Sequence, residues 1–396
     1  MDRRGHRHRL STRADGHPAS GISAEGGCPP RRTAAEQCRG LTGKTRLCTG
    51  NPARARHRPA MPMTRFQKLA TAALVSVLFL MFVGAIVRVT GSGMGCPDWP
   101  TCWGCLIPPT SVEEVDFDKL PIERFQKKAE RMGRDPSTIT VESLRAEFNA
   151  RHVWTEFINR VCSLPVGFFS LATFIAAFWQ REKRPLVFWM AFASLLVVLI
   201  NAWMGARVVY SGLKPGVLTT HLALAMMLTG MLMYCAWRGT DHPWRIRMPA
   251  IPLARLRWAV TLLLVTVVVE GVLGAQVREM TDELAKFHTN APRATWIGEL
   301  EQSWKYLGHR SFSWVVFAAA IWAWVFTIRH RPDGPGWVER SVLGIVLAQM
   351  VLGLVMSQVH IYSWIQVLHV GLAAVLLSLL WLWLFALRGG DQERTP

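Results

Sequence analysis

Charge is scarce in this chain. Asp, Glu, Lys and Arg make up 18% of its 396 residues, against about 25% in an average soluble domain. The shortfall sits in apolar blocks of about 20 residues or more, long enough to cross a bilayer. That distribution excludes the two or three soluble domains that length alone would allow. Acids are scarcer than bases, with 27 Asp+Glu against 45 Lys+Arg and a formal charge of +18. Half of that excess is local, because residues 1–62 carry 13 bases and 4 acids, a net +9. The positive balance therefore does not point to nucleic acid as a partner. No apolar stretch precedes Leu69, which excludes a secretory signal, and Asp2, Asp15, Glu25 and Glu36 are out of place in a transit peptide. A leader rich in Arg, Gly and Pro buries too little to order itself. Residues 1–62 are expected to be a disordered basic leader, with translation starting at Met61 or Met63; a disordered cytoplasmic tail is the alternative.

Eight apolar runs lie at 69–90, 153–179, 185–209, 217–237, 257–277, 307–328, 341–360 and 365–387. Each suits a helix crossing a hydrocarbon core about 30 Å thick. The expected fold is an all-α membrane protein of eight transmembrane helices. The connections 180–184, 238–256 and 329–340 are short and basic, and the tail 389–396 adds Arg394. The positive-inside rule places these, and both termini, in the cytoplasm. Connections 91–151, 210–216, 278–306 and 361–364 then face outward.

A repeat underlies the eight runs. Gly205 precedes His221 by sixteen residues, as Gly353 precedes His369. Asn159-Arg160 in the second run corresponds to His309-Arg310 in the sixth, and GAIVRVTG in the first to LGAQVREMT in the fifth. Four spans per unit require a parallel repeat, with two four-helix bundles at 63–240 and 241–388. Of twelve His, four stand at the outer ends of even-numbered helices: His152, His221, His309 and His369. An ionisable residue in a span points to function. Zinc takes three or four protein ligands, and acids and Cys are few here. A haem needs only axial ligands from facing helices, and its carboxylates suit nearby Arg such as Arg160 and Arg310. On the second helix His152, Glu156 and Asn159 share one face. An acid there could move protons or stabilise positive charge during an oxidation; a helix-end pairing of Glu156 with Arg160 is the plainer alternative.

At these residues the chain resembles the haem A synthase family, membrane oxidoreductases of haem biosynthesis. The resemblance is carried by GSGMGCPDWPTC after the first span, Glu156–Arg160, THLALA at His221, GHR at His309 and LHVGLA at His369. It implies a haem b cofactor between His309 and His369, with Arg310 beside it, in the C-terminal half. It implies substrate haem O in the N-terminal half, near His221, and a catalytic role for Glu156. The implied reaction oxidises a ring methyl of haem O to the formyl of haem A for terminal oxidases. Implied partners are haem O, the enzyme that makes it, membrane lipid and an electron carrier. The implied location is the bacterial inner (cell) membrane, with the haems near the outer face. Asn159 stands where the family most often has His. Either His152 replaces that ligand, two turns and about 10 Å away along the helix axis, or His221 holds the substrate iron alone. The competing reading is a di-haem b-type electron-transfer cytochrome, which has no use for Glu156. A transporter would leave the paired His unexplained.

Cys96, Cys102 and Cys105 lie in the first outer connection, where an oxidising compartment favours disulfides. Cys96–Cys102 is the expected pair, with Cys102–Cys105 competing. Leu106 stands where a covalent haem motif needs His. Residues 103–151 read as a solvated insertion.

Overall fold

The computed structural model describes residues 62–131, 135–214, 216–288, 291–358 and 362–388. The leader and the tail 389–396 fall outside the described residues. Among those residues the α-helices are α1 (Arg65–Val89), α2 (Ile122–Arg131), α3 (Val141–Glu147), α4 (Ala150–Cys162), α5 (Leu164–Ala177), α6 (Pro185–Tyr210), α7 (Val217–Arg238), α8 (Ala250–Phe287), α9 (Arg293–Glu301), α10 (Trp304–His330), α11 (Trp337–Gln358) and α12 (Ser363–Arg388). Eight units, with α4 and α5 as one, are long and apolar enough to cross a membrane. They coincide with the eight apolar runs.

Neighbours close two rings. α1 packs on α4 and α5, α5 on α6, α6 on α7, and α7 back on α1. Likewise α8 packs on α10, α10 on α11, α11 on α12, and α12 back on α8. Each ring is tied at one end. A Thr64–Gln67 capping box starts α1, and the same two side chains donate to Gly239 O at 3.0 Å and Ala236 O at 2.9 Å, at the end of α7. The approach to α8 donates from Ile246 N to Ala386 O of α12 at 3.1 Å.

The rings meet through α1, α7, α8 and α12. Lipid is as apolar as Leu, so helix association in a bilayer depends on close packing and small residues. Two glycines supply the close approach. A Cβ on Gly371 of α12 would fall 2.4 Å from the Phe82 ring of α1, and one on Gly230 of α7 would fall 2.7 Å from Trp381. α12 is the most enclosed span; Leu377, Leu380, Trp383 and Leu384 sit in one core with Leu256, Leu263 and Val342. Large side chains such as Phe79, Trp189, Trp258 and Trp314 remain exposed on the outside of the rings, as a lipid-facing surface requires.

Three features differ from the expectation. The second span is broken at Ser163, between α4 and α5. Pro165 lacks the N–H that would bond the Val161 carbonyl, and its ring crowds that carbonyl. The fifth span runs on to Phe287, and α9 follows, so much of 278–306 is helix. Nothing in Glu279–Phe287 breaks a helix. Finally, the 103–151 segment is not merely solvated, because it builds a core of its own. Trp103 lies edge-on to Phe148 at 5.2 Å and to Phe117 at 6.4 Å, with Leu120, Phe125, Ile139 and Leu144 buried around it. Val153 of α4 belongs to the same cluster, which seats the segment on the N-terminal end of that helix.

Candidate functional site

The GSGMGCPDWPTC segment explains itself residue by residue. Gly95 touches the α4 backbone, and a Cβ there would lie 2.2 Å from His152 O. Cys96 and Cys102 are joined as expected, with Cα atoms 4.7 Å apart, and Cys105 remains a free thiol. Asp98 organises the turn. Its carboxylate accepts from Trp103 N at 2.7 Å, Gly104 N at 3.0 Å and the Thr101 hydroxyl. Trp103 Nε1 donates back to Gly95 O at 2.9 Å.

Arg160 holds this turn to α4. Nη1 donates to Asp98 O at 3.0 Å and Thr101 O at 2.9 Å, Nη2 to Cys96 O at 3.1 Å, and Nε to Glu156 Oε1 at 3.3 Å. Four acceptors around one planar fork suit arginine and not lysine. The expectation that Arg160 serves a haem carboxylate meets a guanidinium already engaged with the outer turn. Glu156 is 5% exposed, on the same face of α4 as Asn159. Its pairing with Arg160 realises the plainer reading of that acid, without removing it from the site.

The five expected His and Asn positions separate into four places. His152 lines a cavity of about 300 Å³ beside the 91–149 segment, walled by Gly91, Trp103, Phe125, Leu144 and Glu147. No residue of α6 or α7 lines it. Asn159 lies beside α1, where a Cβ on Gly84 would be 4.0 Å from its Oδ1, and the His221 ring lies against α6, 3.7 Å from a Cβ on Gly205. His221 Nδ1 is buried and has no hydrogen-bond partner among the described residues.

His309 and His369 come together. Their ring centroids are 6.3 Å apart with planes at 87°. Two imidazoles on opposite faces of one metal ion, at roughly 2 Å per bond, put their centroids about 6 Å apart. The spacing therefore fits a shared iron. Gly274 of α8 makes room for His309, a Cβ there lying 3.1 Å from its Cε1. Gln349 of α11 donates to His369 O at 2.7 Å. Arg310 is exposed at the start of α10. One residue escaped the sequence reading: Glu270 of α8, whose Oε1 lies 3.1 Å from His309 Nδ1. A lone acid in VTVVVEGVLG was the available signal.

A helical protein with eight candidate membrane spans and a half-buried histidine pair of metal-ligand spacing is the class that this fold and site define. The chain belongs to the cytochrome oxidase assembly protein family, COX15-CtaA, which it matches over residues 67–381. It is 25% identical over 318 residues to the Heme A synthase of Sphingopyxis alaskensis, covering 76% of this chain and 86% of the relative. It is 25% identical over 357 residues to the Heme A synthase of Rhizorhabdus wittichii, covering 82% and 95%. A Bacillus cereus Heme A synthase is 25% identical over 305 residues, covering 74% and 84%.

Proposed function

We propose that the chain is a haem A synthase of the bacterial inner membrane, oxidising the ring methyl of haem O to the formyl of haem A. The observation that carries this reading is the His309–His369 pair in a chain of this family. His309 and His369 would hold a resident haem b, whose iron supplies one-electron chemistry. His221 would bind the substrate iron alone. The cavity at His152 is lined by outer-segment residues and none from the His221 helix, which supports the single-ligand arrangement over His152 as a substitute. Asn159 then leaves the second face of the substrate open for reaction. Glu156, buried and paired with Arg160, keeps a negative carboxylate near that face and stabilises positive charge as the methyl is oxidised.

The two rings are read as a parallel repeat. Gly84 faces Asn159 as Gly274 faces His309, and Asn201 and Gln349 precede His221 and His369 by twenty residues alike. The basic connections put both termini in the cytoplasm and the histidines near the outer face. Haem O, the enzyme delivering it and an electron carrier are the implied partners. A relay cytochrome is the reading that the family and its Heme A synthase relatives do not favour.

The test is the pigment of the purified membrane protein, by pyridine haemochrome spectrum and extraction chromatography. Wild type should carry haem b and form haem A. His309→Ala should lose the low-spin b-type spectrum. Glu156→Gln should keep it while accumulating haem O or its alcohol. Haem A formation at the wild-type rate by Glu156→Gln would refute the catalytic assignment.

A further inference from the structure

The two halves differ most where each keeps its acid. In the first half the acid is Glu156, one turn before Asn159 on the same helix. The residue at the corresponding place before His309 is Tyr306. In the second half the acid is Glu270, one turn before Gly274 on α8, and the residue at the corresponding place before Gly84 is Leu80. Glu270 and Gly274 are i and i+4, so they share a helix face. That face meets one imidazole: Gly274 lies against the ring of His309, and Glu270 Oε1 lies 3.1 Å from its Nδ1. The approach is a close ion-pair contact, and neither His309 Nδ1 nor Glu270 Oε2 makes a hydrogen bond among the described residues. Side-chain exposure is 24% for His309 and 18% for Glu270.

We propose that Glu270 is a positioning residue for the resident haem. With the haem bound it would accept a hydrogen bond from Nδ1–H of His309, leaving Nε2 for the iron, and would lower the midpoint potential of that haem. The inference rests on the reading of His309 and His369 as axial ligands. A carboxylate behind a ligating imidazole fixes its tautomer and makes it a stronger donor, which favours the more oxidised metal. A negative group held beside the iron in a low-dielectric bundle acts in the same direction. Leu80 leaves the substrate half without this device, so the carboxylate separates the electronic character of the two irons. His369 has no such partner: its Nδ1 is buried and unbonded among the described residues.

Spectroelectrochemical titration of the full-length purified protein tests this, comparing wild type with Glu270→Gln and Glu270→Leu. Both variants should keep low-spin b-type absorption. The midpoint should rise in Glu270→Gln, which retains an acceptor without the charge, and rise further in Glu270→Leu. Resonance Raman should show a weakened iron–imidazole bond in the same order. Glu270→Asp, keeping the charge at a longer reach, should lie between wild type and Glu270→Gln. Unchanged midpoints in variants that hold haem would overturn this inference alone. Loss of haem from Glu270→Gln and Glu270→Asp alike would overturn it in favour of a structural role. A wild type without low-spin haem b would overturn the reading of the ligands, and this inference with it.

Discussion

Arg160→Lys isolates the fork from the charge. The native guanidinium serves three carbonyls of the outer turn and Glu156 from one plane. An ammonium on a flexible stem is a compact charge and satisfies about two of those four acceptors. Hydrogen bonds from a charged donor contribute about 1.5–3 kcal/mol each, so losing two removes about 3–6 kcal/mol. The Arg160 side chain is 15% exposed, and water entering from the outer face recovers part of the loss. A net cost of about 3 kcal/mol for holding the turn on α4 is expected, equivalent to roughly a hundredfold rise in the detached population. Native-state hydrogen exchange reads this directly at Trp103 N and Gly104 N, which donate to Asp98 in the turn that Arg160 holds. Both amides should exchange about a hundredfold faster in the variant, while helix amides of α10 and α12 stay at wild-type rates. Wild-type exchange at Trp103 and Gly104 would refute the clamp. If the variant kept that protection and lost only substrate haem, Arg160 would belong to the haem carboxylates instead.

Two further outcomes follow from close contacts. Gly95→Ala places a methyl 2.2 Å from His152 O and 2.4 Å from its carbonyl carbon, so backbone must move. Protease protection of the outer segment should fall sharply, whereas Gly93→Ala, whose nearest neighbour is the flexible end of Leu213 at 3.2 Å, should be tolerated. Glu279 of α8 caps the start of α7 from the other ring, accepting from Gly216 N at 3.2 Å, Thr219 N at 3.1 Å and Thr219 Oγ1 at 2.8 Å. Glu279→Ala should cost about 2 kcal/mol, the upper range for a lost cap. It should weaken haem O binding in a spectral titration while leaving the resident b-type spectrum intact.

The spans were legible because a bilayer imposes a minimum apolar length, and eight runs met it. The His309–His369 pair was legible because the spacing Gly205–His221 recurs as Gly353–His369, and recurrence at one depth is hard to attribute to core packing. The disulfide was expected from three close thiols in a connection that the basic loops assign to the outside. The clamp was not legible. Arg160 bonds to backbone carbonyls, and a carbonyl leaves no mark on the residue that carries it. The core of the 103–151 segment was hidden for a different reason: Phe117, Leu120, Phe125 and Ala129 keep no single period across Pro121, and the Asp, Lys, Glu and Arg between them dominate the composition. The break at Ser163 had a visible cause in Pro165. Glu270 was visible too, since an acid within an apolar run demands a partner as much as a histidine does.

On the proposed function, with the two rings read as a parallel repeat, one scaffold would hold two macrocycles for different ends, and a few positions would divide the labour. Both halves keep the glycine beside the Asn159 or His309 position, the amide twenty residues before the second-helix-pair histidine, and that histidine itself. They part at Asn159 and His309, where on this reading one half would open a coordination face and the other would close it. They part again at the acids. A carboxylate on the ligand's far nitrogen acts on the metal through a bond, so it suits a haem that must only accept and pass electrons. A carboxylate one turn along the helix from the open face acts through space on the substrate, so it suits a haem whose periphery is to react. Exchanging the two devices would remove the function from both: Glu270 behind a missing ligand has nothing to polarise, and Glu156 beside a bis-histidine iron has no open face to serve.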